Sequence, residues 1–347
     1  MVTLPFYARA TLVLFGLILV VYSLHAAQLL LVPLCWSIFL ALLLAPATHW
    51  LEQHHFSRGW AITLIMFVAT VIVSAVFYLI SAQMVSLVSD LPSIAEPLEQ
   101  GYQKVRSAVE TYLEIPYEQQ PAQLIKTLSA YLERGVSTLG STLTATAKTV
   151  TMLAVMPVYI FFLLYYQDNY QEFVRRLYRH RDSDQALDVV RKASSVVQGY
   201  LAGLLTVTLL VGIMAFFVFF GLGVKYALVF AIFVAVFNLI PYVGVFIAST
   251  VSILYVFLTT DSLLYPFLTF LLLWGIQLLE NNIITPYIVG QRIKLNPLVV
   301  ILAVFSGASL WGVSGMILFI PLVGALKVLF DEVEAWEAYG YLLGAKR

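Results

Sequence analysis

Charged side chains are scarce in this chain. Asp, Glu, Lys and Arg together make up 11% of its 347 residues, less than half of the roughly 25% that a soluble domain carries. The shortage excludes an ordinary water-facing surface around most of the molecule. Neither sign dominates, with 19 basic and 19 acidic residues, so the balance points to no nucleic acid and no acidic ligand. Cysteine is nearly missing: Cys35 alone excludes an internal disulfide and a cysteine-built metal site. The five histidines show no ligand spacing, and His54-His55 beside Arg58 reads as a solvated turn. No segment has the form G-x-x-x-x-G-K-[ST], which argues against direct nucleotide drive within this chain. Paired histidines, a Ser-Lys pair, a Gly-x-Ser-x-Gly elbow and two aspartates at membrane depth are also lacking. An intramembrane enzyme is left without chemistry, and no cofactor is expected.

What abounds is apolar surface, 61% of the residues, gathered in runs. A bilayer-spanning helix needs roughly 17–25 mostly apolar residues. Positions 10–51 contain no charged residue and read as two spans, turning near His25-Ala26-Ala27-Gln28. The run is too long, and lacks the basic start, for a cleaved signal peptide. A third span runs from about Trp60 to Ser81. Charges then return over 83–148, where Leu91, Ile94, Leu98, Tyr102, Val105, Val109 and Tyr112 make one helical stripe. Leu124, Leu128, Leu132, Val136, Leu139 and Leu143 make a second. These predict a small helical hairpin outside the hydrocarbon. A fourth span covers about 150–166, a basic loop 167–193, and a fifth span about 196–220. Long apolar stretches follow at 225–258, 262–285 and 298–329, before a tail over 331–347.

The expected fold is therefore all-α and polytopic. It has about eight membrane segments, two of them broken or re-entrant hairpins, plus the extra-membrane hairpin. The corresponding domains are 1–82, 83–148, 149–166, 167–193, a transport core at 194–330, and the tail. Lys and Arg in short loops mark the cytoplasmic side. The Arg-rich 167–193 segment, the Arg58 turn and the Arg292/Lys294 loop then all fall inside, together with both termini, while 83–148 falls outside.

Two stretches, 225–258 and 298–329, are too long for one span and short for two. Helix breakers interrupt the first at Asn238, Pro241 and Gly244, and the second at Ser306-Gly307 and Gly312–Gly315. Proline removes a backbone donor and glycine weakens a helix. Irregular backbone at membrane depth persists only when buried in protein or lining a watery cavity, and paired interruptions point to a transporter site. Close helix packing is the alternative for any single glycine. Between the breaks lie Gln277, Glu280, Asn281 and Asn282, with Gln277, Glu280 and Asn281 expected on one helix face. A carboxylate in a membrane segment faces an internal pathway or a partner, and burial favours its proton exchange near neutrality. Placement at the cytoplasmic interface is the other reading of Glu280.

Phe237–Gly244, Glu280–Gly290 with its Thr285-Pro286-Tyr287, Leu295–Val300, and Gly312–Met316 through Pro321 resemble, in order and spacing, the AI-2E (autoinducer-2 exporter-like) transporter family. The motifs cover about 195–330, and the overall layout agrees along the whole chain. Val245, Leu204 and Asn296 depart from residues frequent in that family. The resemblance implies a permease of the bacterial inner membrane, homo-oligomeric, with a pentamer among the forms. Exporters of an autoinducer-2-like small polar solute, working by alternating access, stand beside sodium(lithium)/proton antiporters. An envelope interaction protein acting through 83–148 is a third reading. The expected pathway residues are Asn238, Pro241, Gly244, Gln277, Glu280, Asn281, Asn282, Pro286, Gly307, Gly312 and Gly315. The expected partners are the lipid bilayer, the solute, and a proton or sodium ion. A cysteine placed at Ser107 is expected to react with an impermeant thiol reagent from outside intact cells, and reaction only after lysis would invert this topology.

Overall fold

The computed structural model describes residues 5–79, 147–178, 183–241, 243–260, 262–290 and 294–344. The predicted hairpin at 83–148 lies almost wholly outside them. Nearly all of the described chain is helical, and among the described residues the one β feature is an isolated bridge between Leu295 and Gly344. The helices are α1 (Phe6–Ala26), α2 (Gln28–Gln53), α3 (Arg58–Leu79), α4 (Ala147–Tyr165), α5 (Gln167–Leu177), α6 (Ser183–Gly221), α7 (Ala227–Asn238) and α8 (Val243–Thr259). They continue with α9 (Leu264–Leu279), α10 (Pro297–Glu332) and α11 (Glu337–Leu343). Among the described residues, six segments are long and apolar enough to cross a membrane: α1, α2, α3, α6, α10 and the stretch Leu264–Ile288 that α9 begins. The chain is an all-α, multi-pass membrane protein.

The predicted spans fall on helices, most of them to within a few residues, although α6 begins at Ser183, well before the expected start near 196, and the first turn falls at Ala27. One expectation needs correcting. The 167–193 segment, read as a loop from its charge, is largely helical, comprising α5 and the first turns of α6.

The chain divides into two compact units. The first holds Met1–Ala69, Thr151–Leu205 and Thr285–Arg347. Its core joins Val32 and Phe39 of α2, Val197, Tyr200 and Leu201 of α6, and Val304, Leu318 and Ile320 of α10. Ala41, Ile62, Ile160 and Leu164 form a second cluster that binds α2, α3 and α4. Lys192 of α6 donates to Glu332 of α10 over 2.5 Å. α1 buries none of its residues within the chain, leaving its apolar surface for lipid.

The second unit holds Thr70–Val150 and Thr206–Ile284. Phe219 of α6 is fully buried against Phe230 of α7, with ring centroids 5.7 Å apart, and Phe230 meets Tyr255 of α8 at 4.5 Å. α7 packs on α8, and α8 on α9. At 1.5 Å per residue α7 is about 18 Å long, too short to cross a hydrocarbon core of about 30 Å. The chain turns over Leu239–Pro241 and starts back in α8. Gly244 sits in the first turn of α8, where a Cβ would overlap the Phe237 carbonyl.

The second break is sharper than its sequence indicates. Within α10 only Trp311 and Gly312 leave helical backbone angles, Gly312 at φ 61°. Gly307 and Gly315 are not breaks. They are buried helical residues whose backbones touch, so that a Cβ on either would overlap the other's carbonyl. Residues eight apart in one straight helix would stand about 12 Å apart. The chain has therefore doubled back, and α10 is a helical hairpin with its tip at Trp311-Gly312. Gly315→Ala is expected to cost about 1–3 kcal/mol of unfolding free energy in detergent, the usual penalty of overpacking. Gly275→Ala, which meets nothing within 4 Å, should leave stability unchanged or slightly raised; equal losses for the two would refute the hairpin contact.

Candidate functional site

The eleven expected pathway residues divide between the two units. Asn238, Pro241, Gly244, Gln277, Glu280, Asn281 and Asn282 belong to the second, and Pro286, Gly307, Gly312 and Gly315 to the first.

In the second unit, α7 ends at Asn238 and the turn carries Pro241, both half-buried, while Gly244 is buried at the start of α8. Proline at this place supplies no backbone donor, which fits a turn between two half-length helices. Glu280 is the chain's one buried charged residue among those described, at 7% exposure. It lies where α9 widens into a π turn over Glu280–Ile284, a local form that recurs at functional positions. Gln277 Nε2 donates to Glu280 Oε2 over 2.6 Å, a charge-assisted contact between residues three apart on the same helix.

The expectation that Asn281 shares this face needs correcting. Asn281 and Asn282 are exposed, and Asn282 Nδ2 is turned back to the Leu278 carbonyl at 2.8 Å. The π turn accounts for this: the wider turn carries Asn281 away from the position that 3.6 residues per turn would give it.

In the first unit, Pro286 is exposed in the short helix Thr285–Ile288. Gly307 and Gly315 are the contact of the α10 hairpin and Gly312 is its exposed tip. The tip is held by a feature that the sequence did not reveal. Trp311 Nε1 donates to the Leu24 carbonyl over 3.1 Å. The His25 ring, with its proton on Nδ1, faces the Leu310 carbonyl at the same distance. Both carbonyls belong to last turns of helix, where backbone acceptors lack helical partners, so each element caps the other. A tryptophan beside a mid-segment glycine was the available signal, because a buried indole N–H needs an acceptor.

The base of the same hairpin is capped as well. Asn296 Oδ1 accepts from Leu298 N at 3.0 Å, with Pro297 in the first helical position, the arrangement that favours a helix start. Asn296 N donates to the Leu343 carbonyl over 2.9 Å. Its side chain thus does local structural work at the entrance to α10. Gly203 of α6 packs against Ile288 and Val289.

A polytopic helical protein with two hairpins of part-length helix, one in each unit, is a recognisable class. The model for AI-2E family transporters matches residues 12–335, and the chain belongs to that family. It is a membrane transporter. Among related proteins, YrrI of Bacillus subtilis, named as a candidate transport protein, is 25% identical over 86% of this chain and 85% of its own length. YhhT of Escherichia coli, also named as a candidate transport protein, is 22% identical over 96% and 93%. PerM of the same species, named as a candidate permease, is 28% identical over 88% and 87%.

Replacing Trp311 by Phe removes the Nε1 donor and keeps the ring. The expected loss is about 1 kcal/mol of stability, the net worth of one hydrogen bond. A double-mutant cycle of W311F with H25A, read by unfolding in detergent, should give a coupling energy clearly different from zero. Strict additivity would show that the two contacts do not act together.

Proposed function

We propose that this transporter exports a small polar solute, of the autoinducer-2 kind, across the bacterial inner membrane by alternating access. The observation that carries the reading is the pair of helical hairpins, one within each unit. Each ends in a turn that interrupts regular helix: Leu239–Pro241 in one and Trp311-Gly312 in the other. Carbonyls at such turns keep a second lone pair and favour polar cargo, because they offer acceptors where lipid offers none. Asn238, Gln277 and Glu280 supply side-chain partners on the same side of the chemistry. In this reading the termini are cytoplasmic, 83–148 lies outside, and several copies assemble in the membrane. The bacterial relatives support the choice of membrane.

A second reading has its own observation. Glu280 is buried and receives an amide hydrogen bond from Gln277, a suitable setting for a carboxylate that alternates between a proton and a sodium or lithium ion. Sodium(lithium)/proton antiport would then need no other cargo.

Purified protein in liposomes separates the two. Solute accumulation driven by an imposed proton or sodium gradient is expected for the exporter. Sodium-driven proton flux without any solute would instead establish the antiporter. Glu280→Gln keeps the shape and removes the charge, and is expected to abolish or uncouple transport while insertion is preserved. An unchanged rate across a pH series would remove Glu280 from the mechanism.

A further inference from the structure

α5 has the sharpest division of polar and apolar residues in the described chain. At 100° per residue, Tyr170, Phe173, Val174 and Leu177 fall within an arc of about 100°. Asp168, Glu172, Arg175 and Arg176 occupy the opposite side. No residue of the helix is buried, and Phe173 and Leu177 are 64% and 65% exposed. A single exposed leucine needs no explanation. A continuous stripe on a helix that is otherwise charged does.

Three observations say what covers it. The first is position. One residue, Tyr166, separates α5 from the end of α4, an apolar membrane helix, so α5 starts at the level where the hydrocarbon ends. The Phe162 and Tyr166 rings stack at 6.0 Å and the Phe161 and Tyr165 rings at 5.7 Å. This carries aromatic surface from α4 to the depth where such rings gather. The second is orientation. Arg58, at the start of α3, forms an ion pair with Asp168 in the first turn of α5, donates to the Leu164 carbonyl at 3.0 Å, and has Glu52 at 3.7 Å. This ties the polar side of α5 to the α2–α3 turn and leaves the stripe facing away from it. The third is charge. The polar side of α5 sets Arg175 and Arg176 against Glu172, charges that stay hydrated among headgroups while the stripe faces the acyl chains.

We propose that α5 lies in the plane of the membrane interface, its stripe set at the boundary between headgroups and acyl chains. Helices with an apolar stripe and a charged polar side bind in this way. A second copy of the chain is the other conceivable cover. Four side chains, however, offer far less than the roughly 800 Å² per partner of a stable protein interface. The inference does not depend on which solute is carried.

The test uses the full chain with Cys35→Ala and one nitroxide at a time along 168–177, reconstituted in phosphatidylcholine vesicles containing phosphatidylglycerol. Accessibility to oxygen and to an aqueous nickel chelate reports depth, and a label at Phe67 on α3 controls for insertion. Depth is expected to oscillate with helical period, deepest at Tyr170, Phe173 and Leu177 and shallowest at Glu172 and Arg176. Equal nickel accessibility at Phe173 and Glu172 would overturn the proposal. Strong spin–spin broadening at Phe173 would overturn it in favour of a second copy.

Discussion

A peptide group without a partner in hydrocarbon is so costly that only closed hydrogen-bonding arrangements cross a bilayer. Most of this chain meets that constraint by continuous helix. At Leu239–Pro241 and at Trp311-Gly312 it does not, and everything distinctive about the structure follows from how those two turns are accommodated. At the first, Gly244 brings the start of α8 against the Phe237 carbonyl, so the reversal takes little room. At the second, Gly307 and Gly315 let the two arms touch along their backbones, while Trp311 and His25 exchange side chains for end-of-helix carbonyls with α1. A side chain at any of these glycines would hold the arms apart.

Much of this was legible in the sequence, for reasons that can be named. Spans are a matter of length and hydropathy, and α1, α2 and α3 lie where those measures put them. Asn238 and Pro241 announced the first reversal because they fall together, midway along the stretch, whereas Pro33, Pro46, Pro157 and Pro321 stand inside helices. Glycine has two meanings, since it both breaks helices and lets them pack. That ambiguity spread the expected second break over Ser306–Gly315, whereas only Trp311 and Gly312 leave helical angles. The 167–193 segment was misread because its charge outweighed its period: Tyr170, Phe173, Val174 and Leu177 already had helical spacing. Asn281 was misplaced because counting 3.6 residues per turn cannot foresee a π turn. The Trp311–Leu24 bond joins residues 287 apart, and no local pattern encodes it.

The two ends of the transporter's charge distribution also have different jobs. Arg58 gathers Glu52, Asp168 and the Leu164 carbonyl around one guanidinium, fixing where the interfacial helix leaves the bundle. Arg58 and Glu52 are half-buried and Asp168 is exposed, and the value of the arrangement is geometric. Glu280 is the opposite case. It is the one buried charged residue among those described, accepting from an amide of its own helix, and in the proposed reading its value is chemical.

The C-terminal tail adds a mechanical constraint. One foot of the α10 hairpin is joined to it through Asn296 and Leu343 and through the Leu295–Gly344 bridge. The other foot meets it where Gly340 packs on Asp331, itself paired with Lys327. Hairpin and tail thus form a closed ring, and a ring cannot be opened at one foot without straining the other. The base is a poor place for a hinge. Any rocking of α10 would pull the tail along like a lever's short arm, so a stroke at the hairpin tip would be felt at Gly344, beside the base.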